Sequence, residues 1–421
     1  MKLHLDLDCF FVSAHRTLDK SLEGIPVAVG GRSNLNIFDK DKSTRHLSSS
    51  SGAFVSSILS SNDDKDYEEY FVDPSGKIRG ILTTSSYEAR AYGVKTAMSV
   101  SEAKALCPHL KVLPPNYPLY HRLSTELKNL LEDEIPLIEQ FSIDEFFGDI
   151  TGWIKDNEVE AFALHIKKLV KDKLDLPISI GVSESKWIAK LTTEFAKPYG
   201  IKVVEQKDVE NFIKDIPIKE FPGIGNGYQK RLQSYGILKL GDIKKNKDLF
   251  YSWKKPGIQL YNRVCGIDDE PIKQKGDKKS IGIGRTFDPL YERGELQRRV
   301  SILCRHISFL VHRAKVNPLT YSLKIKYEYR EKSKDYINTN RIFSEKNFKH
   351  EIIKLLKKID NHPKHAVIQV NITVSNFASS TKTTLDLFDY ENDLKESSLN
   401  KSMQDLREKF GLDIIKTAGE F

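Results

Sequence analysis

Cysteine is scarce: four residues in 421, at Cys9, Cys107, Cys265 and Cys304, with no C-x-x-C pair among them. That scatter speaks against a disulfide framework and against a zinc site built on cysteine, and leaves the four as small reduced core residues. Long apolar runs are missing as well. No stretch approaches the roughly 18 apolar residues of a membrane span, and the N-terminus reads as a compact strand, without the basic and apolar pattern of a leader. A cytoplasmic protein with no membrane partner is expected. With 39% hydrophobic and 29% charged residues the composition is that of an ordinary globular chain, long enough for two or more domains.

Charge is unevenly spread. Lys and Arg number 66 against 58 Asp and Glu, a net of +8. Residues 280–377 hold 19 Lys/Arg and 9 Asp/Glu, a net of +10, so the rest of the chain nets −2. One region carries the basic excess, as a polyanion-binding module would, although solvated lysines give the same count.

The pattern along the chain is α+β. Residues 2–12 read as a strand, and Pro26 to Gly31 as a second ending in a turn. Nine of the nineteen residues from Ser43 to Ser61 are serine, which marks a mobile insertion over about 33–79. Short helices are expected at Ser85 to Tyr92 and Ser101 to Leu106, and a longer one at Tyr120 to Leu131. Ile138 to Ile150 reads as two strands around an acidic turn, followed by a helix over 158–174, a strand at Ile178 to Val182 and a helix from Lys186 to Ala196 that Pro198 ends. Residues 199–268 look helical, 268–279 a polar linker, and 280–377 a second α+β domain with strands at Leu319 to Tyr329 and Ala366 to Phe377 and helices over 295–314 and 347–359. A short tail from about Ala378 closes the chain.

Two acidic clusters stand in apolar, strand-like surroundings: Leu5-Asp6-Leu7-Asp8 and Ser142-Ile143-Asp144-Glu145. Carboxylates there are costly to bury as anions unless positive charge balances them, so a shared hard divalent cation is indicated. Strand alternation puts Asp6 and Asp8 on one face, and Asp144 and Glu145 converge only if the chain turns between them. Either cluster alone could equally be strand-end carboxylates bonded to backbone.

Other pieces are individually weaker. Tyr87 and Arg90 share a helix face behind Thr83, Thr84, Ser85 and Ser86, a set suited to a triphosphate. Lys190 is either a second phosphate contact or a solvated helix lysine, and its position by itself favours the solvated reading. Phe221-Pro222-Gly223-Ile224-Gly225 ahead of a helical stretch is either a helix-hairpin-helix, whose amides approach a DNA phosphate, or an ordinary helix connection.

Taken in order, Asp6-Leu7-Asp8-Cys9-Phe10-Phe11, Ser86-Tyr87-Glu88-Ala89-Arg90, Ser142-Ile143-Asp144-Glu145, Ala196-Lys197-Pro198 and Phe221-Pro222-Gly223-Ile224-Gly225 resemble the Y-family DNA polymerases, in particular the DNA polymerase IV branch. The resemblance covers nearly the whole chain. It implies a multidomain right-hand polymerase: a palm over 1–11 and 115–197, fingers over 12–114, a thumb over 198–268, a linker over 269–279, a DNA-gripping little finger over 280–377, and a tail over 378–421 ending in a helix at Lys401 to Phe410. It implies low-fidelity, template-directed extension of a primer past damaged bases, with primer-template DNA and deoxynucleoside triphosphates as partners and a monomer as the working form. The alternatives are the catalytic subunit of a polymerase V type complex, a non-catalytic clamp-recruiting relative, and a palm-type nucleotide cyclase.

The resemblance assigns residues as well. Asp6, Asp144 and Glu145, with the carbonyl of Leu7, would hold two Mg2+ ions; Asp8 is not a principal ligand. Glu145 would stand nearest the attacking hydroxyl. Thr84, Tyr87, Arg90 and Lys190 would contact the triphosphate, and Phe11 would be the steric gate that excludes a ribose 2′-hydroxyl. Gly223, Gly225 and Arg285 would meet DNA. Thr384-Leu385-Asp386-Leu387-Phe388 is similar to a sliding-clamp peptide, with Leu385, Leu387 and Phe388 as its apolar contacts and Thr384 where Gln is usual. Three departures stand out: the serine-rich insertion, His15 where many members carry Glu, and the strand Val367-Ile368-Gln369-Val370, which lacks arginines that some members place there.

Overall fold

The computed structural model of the chain describes residues 1–33, 36–38, 44–46, 58–60, 67–73, 76–273, 278–378, 388 and 390–420. These divide into two compact units: the first takes 1–31 and 67–273, and the second takes 278–420 together with the described residues between 32 and 60.

The first unit is built on a five-stranded sheet in the order Ile201–Val203, Ile178–Ser183, Lys2–Leu7, Glu145–Asp149, Leu137–Gln140. Its central strands are buried on both faces: Leu3, Leu5, Ile178, Ile180 and Val182 are buried, and so are the polar residues His4, Asp6, Ser179 and Ser183 that alternate with them. The helix Lys186–Ala196 packs over Ile178–Ser183 and Lys2–Leu7. Gly181 permits that approach, since a Cβ there would lie 2.3 Å from the Ala189 carbonyl oxygen and 2.4 Å from the Thr193 amide nitrogen.

The first strand is shorter than its apolar run suggests. It ends at Leu7, Cys9 turns the chain with φ of 48°, and Phe10–Leu18 is a helix whose first amides donate back to the Cys9 carbonyl. A short apolar run fits a buried strand and a buried helix equally, and periodicity does not separate them. A three-stranded sheet, Ile81–Ser85, Val27–Gly31, Lys111–Leu113, follows with the helices Tyr87–Ala91 and Val100–Leu106. Ser86 and Ser99 cap those helices by accepting amide hydrogens from Ala89 and Glu102. Short helices over 209–264 close around Phe221, Leu232, Ile243 and Phe250.

The second unit is an antiparallel sheet in the order Ser280–Leu290, Val367–Phe377, Pro318–Tyr327, Lys332–Asn338, with the helices Arg293–Ala314 and Glu345–Ile359 packed on it. Strict alternation puts Tyr321, Leu323, Ile325, Val370, Ile372 and Val374 in the core and leaves the intervening residues on an open face. Two parts of the chain depart from expectation here. Ile37 and Phe38, in the serine-rich insertion, are buried in this unit's core; the Phe38 ring stands edge-on to Phe287 and its carbonyl accepts from Arg298 at 2.9 Å. Most of the insertion lies outside the described residues.

The tail is the second departure. A helix of 21 residues, Tyr390–Phe410, replaces the expected Lys401 to Phe410, and its inward side is polar: Asp393, Asn400, Gln404 and Arg407. Arg407 pairs with buried Glu345, Arg341 with Asp393 at 2.6 Å, and Arg305 with Asp413 and Glu420 at 2.6 Å each. The C-terminal segment is thus part of the second unit's interior. Among the described residues no helix is long and apolar enough to cross a membrane.

Candidate active site

Strand register brings the two acidic clusters together. In the antiparallel pairing of Lys2–Leu7 with Glu145–Asp149, Asp6 is the direct partner of Glu145, and the Leu7 amide donates to the Asp144 carbonyl at 3.0 Å. The turn that presents Asp144 is held by Ser142, whose hydroxyl donates to the Asp144 carboxylate and accepts from the amides of Asp144 and Glu145 at 3.3 and 3.1 Å. Behind it, Ser124 donates to the Ile143 carbonyl and accepts from Gln140 at 3.0 Å.

Asp8 faces elsewhere. It lies past the strand's end, is buried, and accepts from the Tyr87 hydroxyl, from Ser179 Oγ at 2.7 Å and from the Tyr199 amide at 3.3 Å. That replaces the reading in which Asp6 and Asp8 share a face, and gives Asp8 the task of fixing Tyr87.

Two lysines complete the cluster. Lys197 Nζ lies 3.0 Å from Asp6 Oδ2 and 2.8 Å from Glu194 Oε1. Lys190 donates to Glu145 Oε1 and sits 3.4 Å from His4 Nε2, so it is neither solvated nor free. The two are seven residues apart, hence on one face of their helix and its last turn, which is the signal that would have found Lys197. Burial, with Lys190, Lys197 and Lys186 nearby, holds the His4 imidazole well below its ordinary pKa and therefore neutral.

The carboxylates are strained electrostatically. Burial pushes Asp6 up to about 8, against the pull of Lys197 and with the repulsion of Asp144 and Glu145 added. Burial likewise raises Asp144, opposed by the Ser142 hydrogen bond and reinforced by Glu145. Three converging carboxylates with ammonium groups at their edge, all hard oxygen donors, form a site that fits a divalent cation.

A cleft of about 220 Å³ opens beside Asp6, Leu7 and Asp144 and is lined further by Phe11, Thr83, Thr84, Tyr87, Arg90, Thr96 and Lys197. Three of the four expected ligands, the gate and most nucleotide contacts thus share one cavity, while Glu145 and Lys190 stand beside it paired with each other. Arg90 donates from Nε to the Ser85 carbonyl at 3.1 Å and lies 5.0 Å from the centre of the Tyr87 ring. Burial and the bond to Asp8 keep the Tyr87 phenol protonated far above its usual range. Phe11 is 7% exposed and stacked on Tyr120.

The remaining expected contacts are spread over both units. Gly223 has φ of +95°, and Gly225 is the N-cap of the helix Asn226–Gln233, a residue with no side chain to bond the helix's first amides. A Cβ at either glycine would meet nothing within 4 Å, so that hairpin is open to an approaching backbone. Arg285 is the register partner of buried Val370, half-buried on the helix-covered side of its sheet, with Nη1 donating to the Gly284 carbonyl at 2.7 Å. The open face instead carries Lys324 directly across from Lys334 and Lys326 across from Lys332. Like charges in register repel, and they leave this part of the open face positive. The alternating lysines in both strands were its sequence signal. Leu385 and Leu387 lie outside the described residues, and Phe388 is 97% exposed.

Two carboxylates, two cations and three aromatic rings line this cleft, with Glu145 beside it, a set that suits a divalent cation and a phosphate. Three models of the impB/mucB/samB family match in chain order: the family domain over residues 5–194, its HHH motif over 207–237 and its C-terminal domain over 278–387. A DNA polymerase IV of Bacillus anthracis is 28% identical over 426 residues, covering 99% of this chain and 93% of the relative. Among solved structures, a Y-family DNA polymerase chimera of Dbh and Dpo4 superimposes with a TM-score of 0.71 at 23% identity, over 89% of this chain and 98% of that one. An insertion ternary complex of Dbh DNA polymerase gives 0.55 at 22%, with the same shares. The chain belongs to the Y-family DNA polymerases and is a DNA-directed DNA polymerase of the translesion class.

Proposed function

We propose that this polymerase adds deoxynucleotides to a primer 3′-hydroxyl with two Mg2+ ions held by Asp6, Asp144, Glu145 and the Leu7 carbonyl. The observation that carries the reading is the register Asp6 to Glu145 together with the Leu7 to Asp144 bond, which brings three carboxylates together, Asp6 and Asp144 lining one cleft and Glu145 beside it. Bound there, the ions would lower the pKa of the attacking hydroxyl and neutralise the triphosphate and the departing pyrophosphate. Tyr87, Arg90 and Thr84 line the same cleft and orient the triphosphate, with Lys190 and Lys197 supplying further positive charge. Phe11, backed by Tyr120, excludes the 2′-hydroxyl by bulk. Low fidelity follows from the small lobe over the cleft, three short strands with helices of five and seven residues, which leaves little protein to close on a base pair.

DNA is taken along its backbone by the hairpin at Gly223 and Gly225 and by the lysine ladder of the second unit. A sliding clamp is the partner for Leu385, Leu387 and Phe388, and the chain works as a monomer. The similar Dbh DNA polymerase, solved as an insertion ternary complex, supports this reading. The direct test is primer extension with Mg2+: extension by the native chain and its loss in Asp144→Ala are expected, and equal extension by both would sink the assignment.

A further inference from the structure

We propose that Glu331, His362 and His365 form a binding site for a first-row divalent metal ion of the zinc class, at one end of the sheet in the second unit. One donor atom from each residue lies within 4.8 Å of the other two. Two imidazoles and a carboxylate are a borderline donor set, suited to zinc with water in the fourth position and unlike the all-oxygen cluster at Asp6, Asp144 and Glu145.

Three elements build the site. Glu331 closes the hairpin between the strands Pro318–Tyr327 and Lys332–Asn338, its carbonyl accepting from the Tyr327 amide at 2.9 Å. His362 and His365 belong to the link between the helix Glu345–Ile359 and the strand Val367–Phe377, where the His365 amide donates to the His362 carbonyl at 2.9 Å. Their rings stack 5.3 Å apart at 13°. Arg293 fixes this link: Nη2 donates to the carbonyls of His362 and His365 at 3.0 and 2.9 Å, and the guanidinium grips Asp360 at 2.7 and 3.2 Å. Tyr327 and Tyr329 wall the imidazoles edge-on.

His362 Nε2 lies 3.0 Å from Glu331 Oε2, so an ion pair accounts for those two residues. It does not account for His365, whose Nδ1 is buried and has no hydrogen-bond partner among the described residues. A shared ion serves all three. Ligands about 2.1 Å from zinc stand roughly 3.4 Å from one another, so the donors close by on the order of an ångström, within the reach of side-chain rotation on a clamped backbone. The bound ion ties the hairpin to the link and stiffens that end of the sheet.

Zinc retention by the full-length chain, measured by calorimetry in excess Mg2+, tests the site. Magnesium is hard and occupies carboxylate sites while leaving imidazole free. One equivalent of zinc bound, a higher melting temperature with zinc than with EDTA, and an affinity at least about tenfold weaker in His362→Ala and His365→Ala are expected. Should either histidine variant melt early in EDTA, Glu331→Gln, changed at an exposed side chain, carries the test. No zinc bound by the native chain, or equal retention by the variants, overturns the proposal.

Discussion

Phe11 lies almost flat on Tyr120, ring centres 4.2 Å apart and planes 14° from parallel, and the Tyr120 hydroxyl is 2.8 Å from His15 Nε2. The proposed gate therefore has a back wall, and the wall has a brace. Burial holds His15 down at about 4, so the brace is a neutral imidazole throughout the physiological range. Phe11→Ala should raise ribonucleotide use relative to deoxynucleotide use by about 10- to 200-fold. Tyr120→Leu should raise it less, because the ring stays but loses its support. Competitive single-nucleotide insertion measures both, and unchanged selectivity in Phe11→Ala refutes the gate.

Lys197 is the cation nearest Asp6. Lys197→Ala should leave folding intact while lowering kcat/KM for nucleotide insertion by about 10²- to 10³-fold, the cost typical of removing one preorganised electrostatic contact. Activity close to native would mean that the pair is structural only.

Gly181 sets the depth at which the lysine-bearing helix sits. Gly181→Ala must push that helix outward against backbone atoms, so it should lower the melting temperature and the polymerase rate together, with a stability loss of about 1–3 kcal/mol. Thermal melts beside primer extension decide it; a fully active, fully stable variant contradicts the close approach.

The lysine ladder predicts a salt effect. Replacing Lys324, Lys326, Lys332 and Lys334 by Ala should weaken binding to primed DNA uniformly across sequences and shrink the slope of log K against log salt by about 0.9 for each phosphate that is no longer neutralised. Fluorescence anisotropy across a salt series reads the slope. An unchanged slope removes this face from the DNA interface.

Glu345 makes the second unit sensitive to acid. Lys349 and Arg407 outweigh burial and bring its carboxyl from 4.5 down to about 2. A depressed carboxylate contributes its stability above its unfolded value, so the contribution is complete above pH 4.5 and is lost as pH falls towards 2. The amount is on the order of 3 kcal/mol. Arg407→Ala should shift acid unfolding to higher pH and cost about 3–5 kcal/mol at neutral pH, since it leaves a buried carboxylate short of one partner. Circular dichroism during acid titration follows both effects.

Several elements were legible before any fold was in hand. Alternation in Pro318–Tyr327 and Val367–Phe377, the helical period and Pro198 stop of Lys186–Ala196, and the acidic turn between Leu137–Gln140 and Glu145–Asp149 all appear at their expected places. Ser280–Leu290 and Lys332–Asn338 are not marked as strands by the sequence, the first broken by Gly282 and Gly284 and the second an edge strand whose inward side, Ser333, Asp335 and Ile337, carries a single apolar residue. The helix Tyr390–Phe410 escaped for a related reason: its inward face is Asp393, Asn400, Gln404 and Arg407, so no apolar period marks it.

Residue chemistry by itself determined which carboxylates, hydroxyls and cations the chain possesses and on which local elements they ride. Tertiary structure decided which of them meet. Asp6 and Glu145 are neighbours only through cross-strand register, Asp8 is turned away by the bend at Cys9, and Lys190 reaches Glu145 because Gly181 lets its helix settle on the sheet. Ile37 and Phe38 sit in the second unit's core, far along the chain from the rest of it. Local pattern fixes side-chain direction over a few residues, but pairing across more than a hundred depends on how whole apolar faces pack, and no window of sequence holds that information.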